Sequence, residues 1–350
     1  MRFSWALLGC FAALTAASPI VTGGRCTHRN AAQRKEWGSM TRRERHHYIN
    51  AVKCMMRKPS LYPEGAMPAS NSRFFDFTAS HATYSLNAHI SGTLLSWHRE
   101  FIYLFERDLH EQCGYPSYLG VPYWEWPLYT HEPMSTSALF DGSDDSLGSN
   151  GVYVPDANTT SGENQIPGGT GGGCVHSGPF RDHILRFGPF NDRFIQTGLP
   201  PNWREPNPRC FTRDLSDDAL RIFYTPERMA AAMAARNIEE FQFELTPNGP
   251  GIHAGGHRAV GGPMTDFFVS PQDPVFFLHH SQLDRVWAQW QAADESRRYT
   301  YNGTNTIFNP VDGTPPVTNQ TVMSFAAIGE DVTVEEVADP MRGRYCYTYV

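Results

Sequence analysis

The chain has 350 residues, 40% of them hydrophobic and 19% charged, with a formal net charge of −7. Abundant Trp, Tyr and Phe stand beside many Gly and Pro, which excludes collagen-like, coiled-coil and disordered chains and leaves a chain able to bury a sizeable core. The acidic balance excludes a nucleic-acid-binding surface, which needs a basic stripe.

Arg2, the apolar run Phe3 to Leu14 and the small residues Thr15-Ala-Ala-Ser18 form the pattern of a secretory signal peptide, too short to span a bilayer. Cleavage is expected after Ala17, leaving 18–350 as one domain, and no later run is apolar enough to cross a membrane. From Arg34 to Met56 apolar residues recur at helical spacing, and Thr41-Arg-Arg-Glu44 reads as a capping box. A second helix is predicted over Thr93 to His110. Between His131 and Gly178 the composition predicts a long irregular excursion; its Gly168–Gly173 run lacks the Lys-Ser/Thr of a phosphate loop. Helical signals return at Pro226–Phe243 and Phe277–Ala293, and Val317–Val350 alternates as short strands do. The expected fold class is mainly α, with long irregular loops and minor β-strands.

With Cys10 in the signal peptide, Cys26, Cys54, Cys113, Cys174, Cys210 and Cys346 remain. In an oxidising compartment they predict up to three disulfides among fifteen possible pairings, and without a CxxC they do not read as a zinc cage. Asn158, Asn302 and Asn319 are glycosylation sequons. A secreted glycoprotein is expected.

The fourteen histidines are unevenly spread. His81, His89 and His98 fall in one short stretch, and His253, His257, His279 and His280 in another. His253 and His257 are four apart, so on a helix they share a face and can reach one metal ion. Asp284, four residues after His280, is placed to orient an imidazole or a neighbouring group. Two sets of three imidazoles suit copper, zinc or iron and not calcium or magnesium. A zinc peptidase competes for the 253/257 pair, but the spacer Ala254-Gly-Gly256 lacks the Glu of His-Glu-x-x-His.

The surrounding motifs are His89 followed by Trp97-His98-Arg99 and Glu106, and Pro122-Tyr-Trp-Glu-Trp126. Further on come His253-Ala-Gly-Gly-His257, Gly261-Gly-Pro-Met264, Asp273-Pro-Val-Phe-Phe-Leu-His-His280, Asp284-Arg285 and Trp287. This sequence resembles the type 3 copper proteins (tyrosinases, catechol oxidases and hemocyanins), most of all their short secreted fungal members. The resemblance implies a four-helix bundle holding two copper ions, one on His81, His89 and His98, the other on His253, His257 and His280. His279 becomes a neighbour in the cavity wall, and the other seven histidines carry no assigned role. The implied activity is that of a copper-dependent oxidoreductase taking a small phenolic substrate and O2, with no nucleic-acid or membrane partner.

Departures from the family pattern bear on the substrate. Asn87 stands two residues before His89, where a Cys would form a thioether, so that cross-link is not expected. Ala254 occupies a position where monophenol-hydroxylating members often carry an Asn that, with a Glu, holds a basic water; Glu244 could supply that Glu alone. Phe267 falls where a bulky gate residue lies over the metal, and Arg258, beside His257, is a substrate-pocket candidate. The expectation is a catechol oxidase type enzyme converting o-diphenols to o-quinones while O2 becomes water. The alternatives are a tyrosinase that hydroxylates monophenols and, in another class, a hemocyanin-like O2 carrier without turnover. Because the chain ends soon after its core, no C-terminal inhibitory domain is expected.

Overall fold

The computed structural model describes residues 25–155, 168–246, 251–310 and 313–350, so the signal-peptide reading and the Asn158 sequon lie outside the described residues. The helices are α1 (Arg42–Met55), α2 (Arg73–Ala88), α3 (Leu94–Cys113), α4 (Phe194–Thr197), α5 (Asp217–Phe223), α6 (Pro226–Ala234), α7 (Ile238–Leu245), α8 (Ile252–Val260) and α9 (Val275–Ala292). Strands are short and paired only in twos, so the fold is a helical bundle with loops, in the expected class.

Helix boundaries follow local chemistry. Both halves of the Thr41/Glu44 capping box form at the start of α1, which buries Tyr48, Ile49, Val52 and Met55. The helix begins later than the periodicity implies, because Ala32–Arg34 is a strand and Trp37–Ser39 a 3₁₀ turn. Gly114, in the left-handed region at φ 65°, terminates α3. The helix expected over Pro226–Phe243 is two helices, since the Asn237 side chain accepts from the Glu240 N–H and starts α7 afresh. Helix α2 has no counterpart among the predicted helices.

The bundle is formed by α2, α3, α8 and α9, with α3 packed on both α2 and α9 and α8 on α9. Aromatic rings bind three of these helices together. Phe277 of α9 stacks on Phe105 of α3 with centroids 3.6 Å apart, and Phe77 of α2 meets Phe105 edge-on at 5.1 Å. Helix α1 packs on α3 and is tied to its end by the Cys54–Cys113 disulfide.

The predicted irregular excursion is anchored. Its strand Gly151–Tyr153 pairs antiparallel with Gly172–Val175, and Cys174 is bonded to Cys210. Buried Arg213 donates to the carbonyls of Leu147 and Gly148 and, bidentately at 2.8 and 2.7 Å, to Asp273, whose Oδ1 accepts the Val275 N–H at the start of α9. The Asp273 of the sequence motif therefore fixes the entry of α9.

The tail forms the expected short strands. Tyr347–Tyr349 pairs in parallel with Ala32–Arg34, and Cys26–Cys346 links the two ends. Asp284 is a structural anion here. It accepts from Arg99 (2.5 Å), Arg34 (3.2 Å), Tyr347 (2.6 Å) and Tyr349 (2.5 Å). Arg34 also pairs with Glu106 at 2.8 Å. Of the two roles expected for Asp284, orienting an imidazole is corrected and holding neighbouring groups is what is found: its oxygens are taken by cations and phenols from distant parts of the chain.

Candidate metal centre

Five of the six singled-out histidines lie on bundle helices: His81 on α2, His98 on α3, His253 and His257 on α8, and His280 on α9; His89 caps the end of α2. The helix packing brings them into two adjoining sets. In the first, ring centroids are 4.9 Å apart for His81–His89 and His89–His98, and 5.7 Å for His81–His98. In the second they are 5.1 Å for His253–His257 and His253–His280, and 5.3 Å for His257–His280. The sets meet where His98 stacks on His280 at 4.2 Å and His89 on His253 at 5.9 Å. Each set gathers ring nitrogens close enough to hold a metal ion.

Tautomers follow from the backbone. The Nδ1–H groups of His81, His89, His98 and His257 donate to the carbonyls of Phe268 (2.7 Å), Ser85 (3.0 Å), Leu94 (2.8 Å) and Met264 (2.8 Å). That leaves Nε2 with its lone pair. The Nε2 atoms of His81, His98 and His253 are buried without a hydrogen-bond partner, and those of His257 and His280 face each other at 3.2 Å. Buried lone pairs of this kind call for a cation, so the donor set fits metal ions.

Electrostatics agree. Burial lowers the pKa of every one of these imidazoles, His89 to about 4 and His257 to about 3, and His81, His98, His253 and His280 also fall well below the ordinary value. They are neutral over the physiological range, as metal ligation requires.

His279 sits against the second set and also has ring nitrogens in reach. Both are occupied: Nδ1 accepts from the Trp126 indole N–H at 3.0 Å, and Nε2–H donates to the His253 carbonyl at 3.0 Å. Those two bonds make it a brace between Trp126 and α8. The same packing explains the Gly-Gly spacer of α8. A Cβ on Gly255 would lie 2.5 Å from Phe223, and one on Gly256 only 2.3 Å from His279 Nδ1. Gly255, Gly256 and Trp126 are functional neighbours that spacing alone does not assign; their sole signal is membership of motifs.

The four pocket candidates part company. Phe267 is half-buried with its ring 4.8 Å from that of His89. Ala254 and Arg258 follow His253 and His257 on α8 and are half-buried, and burial lowers the Arg258 pKa while Asp192 opposes this. Glu244 is in the last turn of α7, which packs on α8, but no hydrogen bond joins it to a histidine. His183, one of the seven histidines without an assigned role, is half-buried against Phe74 and Phe75 with Nε2 on the Gln272 carbonyl.

Residues 71–293 match the family model for the common central domain of tyrosinase. The chain is 41% identical over 330 residues to Tyrosinase P of Aspergillus terreus, covering 90% of this chain and 91% of that protein. It is 37% identical over 368 residues to the N-acetyl-6-hydroxytryptophan oxidase of Emericella nidulans, covering 98% and 99%. Its fold is similar to that of a variant polyphenol oxidase from Thermothelomyces thermophila, with a TM-score of 0.85 at 34% identity, covering 93% of this chain and 90% of that one.

Proposed function

Because this chain belongs to the tyrosinase family, and is thereby a copper-dependent oxidoreductase with a dinuclear copper centre, we propose that it is a secreted polyphenol oxidase that converts o-diphenols to o-quinones. His81, His89 and His98 are assigned to one ion, and His253, His257 and His280 to the other. The observation that carries this assignment is the pair of neutral imidazole sets with clustered ring nitrogens, the Nε2 atoms of His81, His98 and His253 buried without a partner and those of His257 and His280 turned on each other. When bound, the copper pair supplies the chemistry by which O2 becomes water, and the phenolic substrate supplies electrons and protons.

The chain's own residues orient and restrict. The carbonyls of Phe268, Ser85, Leu94 and Met264 hold protons at Nδ1 and keep Nε2 free to donate its lone pair. Phe267 over His89 narrows the approach to a small planar ring. Ala254 offers no polar atom beside His253, and Glu244 has no hydrogen bond to that helix, so the couple that would hold a basic water for a monophenol is incomplete. This favours diphenols. Arg258 is assigned to the pocket rim, where its cation would meet an acidic ring substituent.

Monophenol hydroxylation is the second reading, favoured by the likeness to Tyrosinase P. Copper analysis with oxygen uptake on catechol and on tyrosine decides between them. Two coppers per chain, catechol turnover and negligible tyrosine turnover are expected. Comparable hydroxylation of tyrosine selects the second reading, and two coppers with no phenol oxidation sinks both. Secretion is supported by the pattern over 1–17 and by three disulfides. No helix among the described residues is long and apolar enough to cross a membrane. The test is N-terminal sequencing of protein from culture medium, expected to begin at Ser18.

A further inference from the structure

A helix fixes the direction of the side chains it carries, and five of the six assigned ligands have that support. His89 does not: its backbone is extended (φ −126°, ψ 146°) beyond the end of α2. The next residue is a β-branched Ile90 at φ 47°, in the left-handed region. Such a conformation is strained and persists only where surrounding structure over-determines it.

Locally the Ser91 and Thr93 hydroxyls donate to the Asn87 carbonyl, and the long-range part of that structure is one distant segment, residues 302–309. The Ile307 N–H donates to the Leu86 carbonyl at 2.8 Å and the Phe308 N–H to the Ile90 carbonyl at 2.9 Å. In return the Gly92 N–H donates to the Thr304 carbonyl at 2.7 Å, and the Asn87 side-chain amide to the Asn305 carbonyl at 2.9 Å. These four bonds bracket His89 on both sides. The two backbones touch, since a Cβ on Gly92 would lie 2.5 Å from the Asn302 carbonyl oxygen. The segment is itself held in shape by Asn309, whose Oδ1 accepts the Thr304 N–H at 2.7 Å, and it carries two further left-handed residues, Phe308 (φ 65°) and Asn309 (φ 45°). None of its hydrogen bonds reaches a histidine ring.

We propose that residues 302–309 are a strap that positions His89, so that a segment lacking any ligand of its own governs how firmly the first copper is kept. The residues concerned are positioning residues, and the proposal rests on the assignment of His89 as a ligand. The helical ligands have a regular backbone under them, whereas His89 has a strained loop and a single ring hydrogen bond to the Ser85 carbonyl, so its aim depends more on what pins that loop. Loosening the strap should therefore release one metal ion and spare the other.

The test uses copper-loaded protein dialysed against excess chelator, with copper per chain followed over time. Wild type, Asn309→Ala and Gly92→Ala are compared with His89→Ala as the one-site reference. Hydrogen exchange at the Gly92, Ile307 and Phe308 amides reports the strap directly. Wild type should hold two coppers, while Asn309→Ala should lose one of them about tenfold faster, the scale seen when a ligand's supporting contacts are removed. The end state should match the one-copper form of His89→Ala, and the three amides should exchange faster. Gly92→Ala, with its backbone clash, should show the same loss more strongly; if it fails to fold, Asn309→Ala stands alone as the measure. Faster amide exchange with both coppers leaving at the wild-type rate, or together, overturns the proposal. So does unchanged exchange at the three amides in Asn309→Ala. Fewer than two coppers in wild type would instead overturn the ligand assignment beneath it.

Discussion

His279 and His280 are adjacent, equally buried and equally histidine, yet their chemistry differs through hydrogen bonding alone. Trp126 and the His253 carbonyl consume both nitrogens of His279, while His280 turns Nε2 toward that of His257. His280→Gln should therefore leave one copper per chain and abolish oxygen uptake. His279→Gln should keep both coppers and lower stability by about 1–3 kcal/mol, the cost of a disturbed buried hydrogen-bond pair. Metal analysis and urea titration of the two variants separate these roles, and equal copper loss from both would refute the distinction. At Phe267 the issue is access. Removing its ring from above His89 should leave copper content unchanged and raise kcat/KM for bulky diphenols relative to catechol by about tenfold, the worth of one steric contact in a pocket.

Helices transmit these requirements through their packing. Gly256→Ala would press a methyl group against His279, so it should destabilise the fold by about 1–3 kcal/mol and weaken copper binding at the second set, readable as a lower thermal midpoint and faster copper loss. The same scale shows what could be read from the chain beforehand. Helices α3 and α9 were legible because their histidines sit in spaced motifs among apolar residues, and α1 because its capping box is a local signal. Helix α2 was not legible: from Arg73 to Ala82 it is buried without interruption, so the polar Asp76, Thr78, Ser80 and His81 face the interior and side-chain polarity does not mark its exposed side. The break between α6 and α7 was hidden because an alanine-rich run masks the fresh start at Asn237. The partners of Asp284 were out of reach for another reason. Arg34 and Tyr347 lie 250 and 63 residues away from it, and no local rule connects them.

For the molecule as a whole, the buried imidazoles set a pH dependence. Their folded pKa values lie below 6.5, so the unfolded chain takes up protons first as pH falls. Stability is fully present above about pH 6.5 and declines toward about 4 for His89 and about 3 for His257. In that window each such histidine should contribute a slope of about 1.4 kcal/mol per pH unit. Urea unfolding of metal-free protein between pH 7 and pH 4 measures the sum, and a flat profile would contradict it. Closure of the chain matters on the same scale. Arg34 and Tyr349 come from opposite ends of the described chain and meet on Asp284, within one helical turn of His280. Tyr347 and Tyr349 supply two of the hydrogen bonds on Asp284, so until their strand pairs with Ala32–Arg34 the buried carboxylate keeps only its ion pairs with Arg34 and Arg99. Firm copper binding at the second set should then depend on that pairing: replacing Tyr347 and Tyr349 together by Phe should speed copper loss from the second set and spare the first, as copper analysis over time under chelator would report.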